Sequence, residues 1–245
     1  MYVKTFGEEG GRPVLLLHGG GVGGWMWEPM RAHLDPGLRL IVPDLPGHDH
    51  SADEPYRSHE QALAELVALL EAETTSPIAV AGFSLGAQLA VLLASRRPDL
   101  VDRVVVISAQ AVPTPAPGPT LALLGATAGL AKQRWFARLQ AKELFVPDTL
   151  LEDYLRTSSA VSRSTLLAAV GENIRFTVPA GWGGFPGTAL ILAGSRERGV
   201  MHRSAASLHT ALPGSTLEIV EGAGHGIPLQ QPSWLAQRLE RWLGG

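Results

Sequence analysis

The stretch "AVAGFSLGAQLA", Ala79 to Ala90, joins two apolar runs of different kinds through one turn. The first run starts at Pro77-Ile78 and reads as a buried strand, short and without polar alternation. The second continues as "LGAQLAVLLASRR" and reads as a nearly all-apolar helix that stops before Pro98. Between them stands Gly82-Phe83-Ser84-Leu85-Gly86. A sharp strand-to-helix turn crowds its two backbones, so the residues flanking its centre must be small. Gly82 and Gly86 meet that need. The turn lifts the Ser84 hydroxyl above the sheet, at a helix N-terminus whose dipole favours negative charge. Gly-x-Ser-x-Gly also occurs by chance, and a serine N-cap between incidental glycines is the plain alternative. The buried strand before it and the buried helix after it favour a nucleophile.

The same alternation runs outward in both directions. "PVLLLH" and "LRLIVPD" precede the unit as buried strands, and "VDRVVVIS", "TALILAG" and "STLEIVEG" follow it. Helices are expected in "WMWEPMRAHL", where Pro29 limits the start, from Ser58 to Glu73, in "HRSAASLHTAL" and from Trp234 to Leu243. Ser58 and Gln61 have capping-box spacing, and Leu63, Leu66, Val67 and Leu70 form one apolar stripe. Strands alternating with helices predict an α/β fold: a mostly parallel, doubly wound sheet covered on both faces, with right-handed crossovers.

One segment breaks the rhythm. The proline-rich "AVPTPAPGPT", from Ala111, opens about sixty residues that read as helices without strands: "LALLGATAGLAKQRWFARLQAKEL", "DTLLEDYLRTSSA" and "SRSTLLAAVGENI". "VPAGWGGFPG" then leads back to a strand. The expected division is a core of residues 1–112 and 186–245 with a helical cap inserted at 113–185. Such a cap would cover a site at the carboxyl edge of the sheet, where open α/β sheets bind ligands; extra packing helices are the alternative.

The chain has 245 residues, a formal net charge of −3 and no cysteine. That charge gives no global attraction to nucleic acid or anionic lipid. Lack of cysteine excludes disulfides, thiolate metal sites and a cysteine nucleophile. No apolar h-region opens the sequence, and no uncharged apolar run reaches about 18 residues, so a cytoplasmic protein without membrane insertion is expected.

A serine nucleophile needs a base and an orienting acid. His225 lies in the glycine-rich "EGAGHGIPLQQP", after the last strand, where a mobile imidazole can reach a hydroxyl. The remaining histidines fall in or beside helices, or in loops that they serve structurally. Glu197 is the one carboxylate in "LAGSRERGV", the loop after the fifth expected strand. It also reads as a solvated residue between Arg196 and Arg198. Glu221, which ends a strand, should point elsewhere.

"PVLLLHGGGVGGW" permits a rival reading. Gly19-x-Gly21-x-x-Gly24 matches a dinucleotide-binding pattern, with Asp44 twenty residues on. That reading leaves Ser84 and His225 idle. Trp25, Trp27 and Pro29 suit poorly a helix that must cradle a pyrophosphate, and "LPGH" follows Asp44 at once.

Together "LLLHGGG", "IVPDLPGHDHS", "GFSLG", "ILAGSRE" and "GAGHGIPL" resemble the α/β-hydrolase superfamily, and within it the capped, single-domain, esterase-like members. They run in family order across nearly the whole chain and leave only the cap unmatched. The resemblance implies a Ser84–His225–Glu197 triad and an oxyanion hole from the N–H groups of Gly20 and Leu85, with Gly21 a candidate to share the first. Two residues depart from it: Asp49 stands where "PGHGxS" relatives carry glycine, and Glu197 where aspartate is commoner.

The expected activity is hydrolysis of a carboxylic ester, lactone or thioester of a small, partly apolar molecule through an acyl-enzyme, with no metal or organic cofactor. The chain is expected as a monomer or homodimer. Trp25, Trp135, Phe136 and Trp182 are candidates for contact with the substrate, or equally for packing between cap and core. A receptor-like protein with slow turnover is the second reading, and an NAD(P)-dependent oxidoreductase a remote third.

Overall fold

The computed structural model describes residues 1–129 and 133–244. Seven strands form one sheet: β1 (Val3–Phe6), β2 (Arg12–Leu17), β3 (Leu38–Pro43), β4 (Ile78–Phe83), β5 (Val101–Ile107), β6 (Thr188–Gly194) and β7 (Thr216–Val220). Their spatial order is β1-β3-β2-β4-β5-β6-β7. All neighbours are parallel except β1, which pairs antiparallel with β3 at the edge. β1 is absent from the sequence expectation. Only half-buried at Val3 and Phe6 and exposed at Lys4 and Thr5, it carries no apolar run to reveal it.

Helices α1 (Glu28–Arg31), α2 (His59–Glu73) and α3 (Leu85–Arg96) precede the helical insertion. Helices α8 (Gly199–Ala211), α9 (Ile227–Gln230) and α10 (Pro232–Gly244) follow it. Side chains alternate across a strand, so Leu15 and Leu17 enter one core with α2, α3 and α8, while Val14 and Leu16 enter the other with Met30 and α10. The cap of α2 is as spaced: the Ser58 hydroxyl accepts from Gln61 N–H. The Gln61 side chain accepts from Arg57 N–H (3.2 Å) instead of closing the box on Ser58.

The insertion lies between β5 and β6 and holds α4 (Pro117–Thr127), α5 (Arg134–Glu143), α6 (Leu151–Ala160) and α7 (Arg163–Arg175). The run expected as a helix over Leu121–Leu144 holds most of α4, which starts earlier, at Pro117 within the stretch expected as a proline-rich linker, and all of α5; its residues 130–132 lie outside the described residues. Helix α5 packs on α6, and α4 on α7. Among the described residues no helix is long and apolar enough to cross a membrane.

Strand order places the site. The chain passes from β2 to β3 on one side and returns to β4 on the other, so β2 and β4 flank a topological switch point. Ligands bind such sheets in the crevice beyond the carboxyl ends there. The glycine loop leaves β2 and Ser84 leaves β4 at that edge.

Candidate active site

Ser84 sits between β4 and α3 with φ 52° and ψ −111°, a backbone state that side chains rarely adopt. Its glycine neighbours are sterically required. A Cβ on Gly82 would lie 2.3 Å from Gly86 O, and one on Gly86 2.3 Å from Leu17 O. Ser84 N–H donates to Ile107 O (2.9 Å), which ties the turn to the end of β5.

Three segments meet at this turn. Ser84 Oγ and His225 Nε2 are 3.1 Å apart, and His225 Nδ1 lies 2.6 Å from Glu197 Oε1. An ionised carboxylate only accepts, so the proton belongs on Nδ1, and Nε2 accepts from the serine hydroxyl. The Glu197 side chain is 1% exposed, which corrects its alternative reading as a solvated loop residue. Its Oε2 accepts from Gly194 N–H (2.8 Å) and from Ser108 Oγ (3.1 Å). Glu221 stays apart, exposed and 3.5 Å from Ser195 Oγ. The His225 ring also rests on Phe83, with centroids 5.1 Å apart.

Ser108 is missing from the sequence reading. It is buried, has φ 54° and directly follows β5, whose neighbours in the sheet are β4 and β6. Its place beside Glu197 follows from strand order and from no local motif.

Gly20 is exposed in the loop after β2, and a Cβ there would meet only Leu85 Cδ2, at 3.8 Å. Leu85 opens α3, where an N–H has no carbonyl four residues back within the helix. Gly21 has φ 77°, a glycine conformation, and open space where a side chain would be. His18 supports this loop: Nδ1 donates to Gly19 O (2.7 Å) and Nε2 accepts from Leu45 N–H (2.8 Å). Burial pushes His18 down to about 4, so this neutral tautomer is the one present.

The insertion touches the site at two places. Trp25, buried, donates from Nε1 to Thr157 Oγ1 on α6 (3.0 Å) and meets the Tyr154 ring edge-on. Beyond α5, Leu144 and Phe145 press on the histidine turn. A Cβ on Gly226 would lie 2.4 Å from Leu144 O, and one on Gly224 3.0 Å from the Phe145 ring. Trp135 and Phe136 lie on α5, the former 62% exposed. Trp182 is elsewhere. Fully buried, it donates to Leu208 O (2.9 Å), stacks on Phe185 and packs against α3 and α8. This corrects the expectation of substrate contact: Trp182 is part of the core.

Asp44, Asp49 and His50 bring possible metal-ligand atoms within 4.8 Å of one another. Their oxygens already have partners in Gly24 N–H, His50 and Arg156. A cavity of about 150 Å³ between α5 and α6, lined by Arg134, Glu152, Arg156 and neighbours, includes none of Ser84, His225 and Glu197.

A mostly parallel sheet with an acute serine turn, and a histidine and a carboxylate on the next loops, defines a hydrolase-type α/β protein. Residues 14–238 match the Alpha/beta hydrolase family, and the chain belongs to it. An uncharacterised Mycobacterium tuberculosis protein is 28% identical over 272 residues, spanning 99% of this chain and 78% of that protein. The pimeloyl-[acyl-carrier protein] methyl ester esterase of Vibrio campbellii is 32% identical over 108 residues, 44% of this chain and 40% of the relative. Among solved structures, a bromoperoxidase from Bacillus anthracis superposes with a TM-score of 0.87 at 20% identity, covering 100% of this chain and 95% of that one. At that identity the likeness concerns the fold alone.

Proposed function

We propose that the chain hydrolyses carboxylic esters through an acyl-enzyme on Ser84. The observation that carries this reading is the unbroken line Ser84 Oγ–His225–Glu197, with spacings of 3.1 and 2.6 Å. In this reading His225 Nε2 takes the Ser84 proton as Oγ attacks the acyl carbon. The negative charge gathers on the carbonyl oxygen, facing the N–H groups of Gly20 and Leu85, with Gly21 beside them. His225 then gives the proton to the leaving alcohol. Water repeats the sequence and releases the acid. Losing one such oxyanion donor typically costs roughly 3 kcal/mol of barrier. Glu197 holds the imidazole tautomer and stabilises the imidazolium.

The partial sequence likeness to a methyl ester esterase supports the bond class. Lactones and thioesters are open to the same chemistry. The helical insertion acts as a cap: it reaches the glycine loop through Trp25–Thr157 and the histidine turn through Phe145, so it borders the space above Ser84. Trp135 and Phe136 on α5 are proposed to influence which apolar groups enter.

A serine-directed fluorophosphonate and a series of p-nitrophenyl esters of increasing chain length, with lactones and thioesters alongside, test this. Labelling of the wild type but not of Ser84→Ala, together with multiple turnovers, is the expected result. Stoichiometric binding with a single turnover would instead favour a receptor, and labelling at another serine would overturn the assignment.

A further inference from the structure

The geometry points to Asp49 and Arg156 as positioning residues: their ion pair holds cap helix α6 in register with the glycine loop and so influences which acyl and alcohol groups fit above Ser84. The inference rests on the ester-hydrolase reading for its substrate consequence only. The strut itself is a statement about two segments of the chain.

Asp49 has φ 43°. That left-handed state suits glycine, so an aspartate at this point stands against local backbone preference. Its side chain is only 2% exposed. A carboxylate removed from water needs a cationic or hydrogen-bonding partner. Arg156, 107 residues away on α6, supplies one in a direct ion pair. Arg156 is itself half-exposed and also donates to Asp153 (2.8 Å), one turn back on its own helix. His50 Nδ1 lies 3.4 Å from Asp49 on the core side.

The core end of this pair lies in the loop after β3 and packs against the glycine loop. A Cβ on Gly23 would lie 2.7 Å from Asp49 Cβ, so the Asp49 side chain packs directly on the Gly23 backbone. Asp44 Oδ1 accepts from the adjacent Gly24 N–H (2.7 Å) and its Oδ2 meets His50 Nδ1 (2.8 Å). Gly20 and Gly21 lie just upstream. The cap end belongs to the helix whose Thr157 accepts from Trp25 and whose Tyr154 meets the Trp25 ring. Two polar ties from adjacent residues, Asp49–Arg156 and Trp25–Thr157, thus bind one helix to the two loops that follow β3 and β2. Any lateral shift of α6 must break both.

The test compares Arg156→Met, Asp49→Gly and the double variant with wild type, with Arg134→Gln as control, since among the described residues Arg134 pairs with the exposed Glu152 inside the cap. Asp49→Gly fits the backbone and leaves no buried charge, so it guards against a simple folding failure of Arg156→Met. Amide hydrogen exchange is read over residues 151–160 and 23–27. Faster exchange in both segments is expected in all three variants and not in the control. The double variant should be no worse than the worse single one, because contacting residues couple. With p-nitrophenyl esters, KM for an octanoate should change by about tenfold while kcat for the acetate stays within about twofold, as loss of binding without loss of chemistry requires. Unchanged exchange in both segments, or additive effects in the double variant, would overturn the strut. Exchange that responds as expected in a protein that turns over no ester would keep the strut and refute the ester-hydrolase reading.

Discussion

Glu197 meets His225 with one carboxylate oxygen, at 2.6 Å, while its other oxygen is held by Gly194 N–H and Ser108 Oγ. Three donors therefore fix a carboxylate that is 1% exposed. Glu197→Gln keeps the shape and removes the charge, and its NH₂ can face Nδ1 only if the imidazole flips tautomer. The expected loss in kcat is up to about 10⁴-fold, as when a triad holds the wrong tautomer. Glu221→Gln, at an exposed site, should leave kcat unchanged. A crippled Glu221→Gln beside an active Glu197→Gln would place the acid in the turn directly after β7.

Ser108→Ala removes one of those three donors. The lost hydrogen bond to a charged acceptor should lower stability by about 1.5–3 kcal/mol, if the site does not relax. Loosening of Glu197 should lower kcat more than it alters KM. Urea unfolding and steady-state kinetics read the two effects separately, and an unchanged kcat would mean that Gly194 N–H alone suffices.

Ser84→Ala should abolish turnover and leave the fold intact, whereas Ser84→Gly should abolish turnover and raise stability. The reason is the φ of 52° at this residue, which glycine adopts without strain. A gain of about 1 kcal/mol is expected from relief of such a conformation. Thermal unfolding of both variants checks it; a Gly variant less stable than the Ala variant would show that the turn is unstrained.

What the sequence conveys well is whatever has a local cause. The buried strands announce themselves as unbroken apolar runs, and the glycines around Ser84 answer to crowding within five residues. Pairings set by strand order are a different matter. Ser108 meets Glu197 across 89 residues because β4, β5 and β6 are neighbours, and nothing near Ser108 encodes that. Asp49 is visible as an oddity in a glycine position, yet its partner on α6 is not. Edge strand β1 escapes because a strand paired on one side only needs no apolar run. Trp182 misleads in the opposite sense: an aromatic among glycines reads equally as pocket wall or core, and burial under α3 and α8 decides for the core.

That burial separates the aromatics by experiment. Trp182→Ala should cost roughly 3–5 kcal/mol, the usual loss for a large buried side chain. Trp135→Ala, 62% exposed, should stay within about 0.5 kcal/mol. If α5 borders the substrate, Trp135→Ala or Phe136→Ala should shift ester chain-length preference at nearly constant stability. Equal loss on every ester would assign these rings to packing.

His18 and His48 are both buried, with rings 5.3 Å apart, and burial pushes each down to about 4 from the usual 6.5. Asp49 near His18 and Asp44 near His48 pull the other way and are outweighed by desolvation. His18 has no room for a second proton, because its Nε2 accepts from Leu45 N–H; His48 Nδ1 is committed to Pro46 O at 2.9 Å. Above pH 6.5 both histidines are neutral in the folded and the unfolded chain, so stability does not vary through them. As pH falls from 6.5 towards 4, the unfolded chain binds protons that the native state refuses, and unfolding is favoured. Below about 4 both states bind them and the loss levels off. The full effect is on the order of 3 kcal/mol per histidine. Urea unfolding at about pH 7.5, 6 and 5 should show stability falling already between the first two, above the range in which ordinary carboxylates titrate. His48→Gln, which cannot titrate, should reduce that slope and leave the parts due to His18 and to His59, which burial also lowers. A wild type equally stable at all three values would mean that the two rings bind protons within the fold as readily as in the unfolded chain, and that the bond from Leu45 N–H to His18 does not persist in solution.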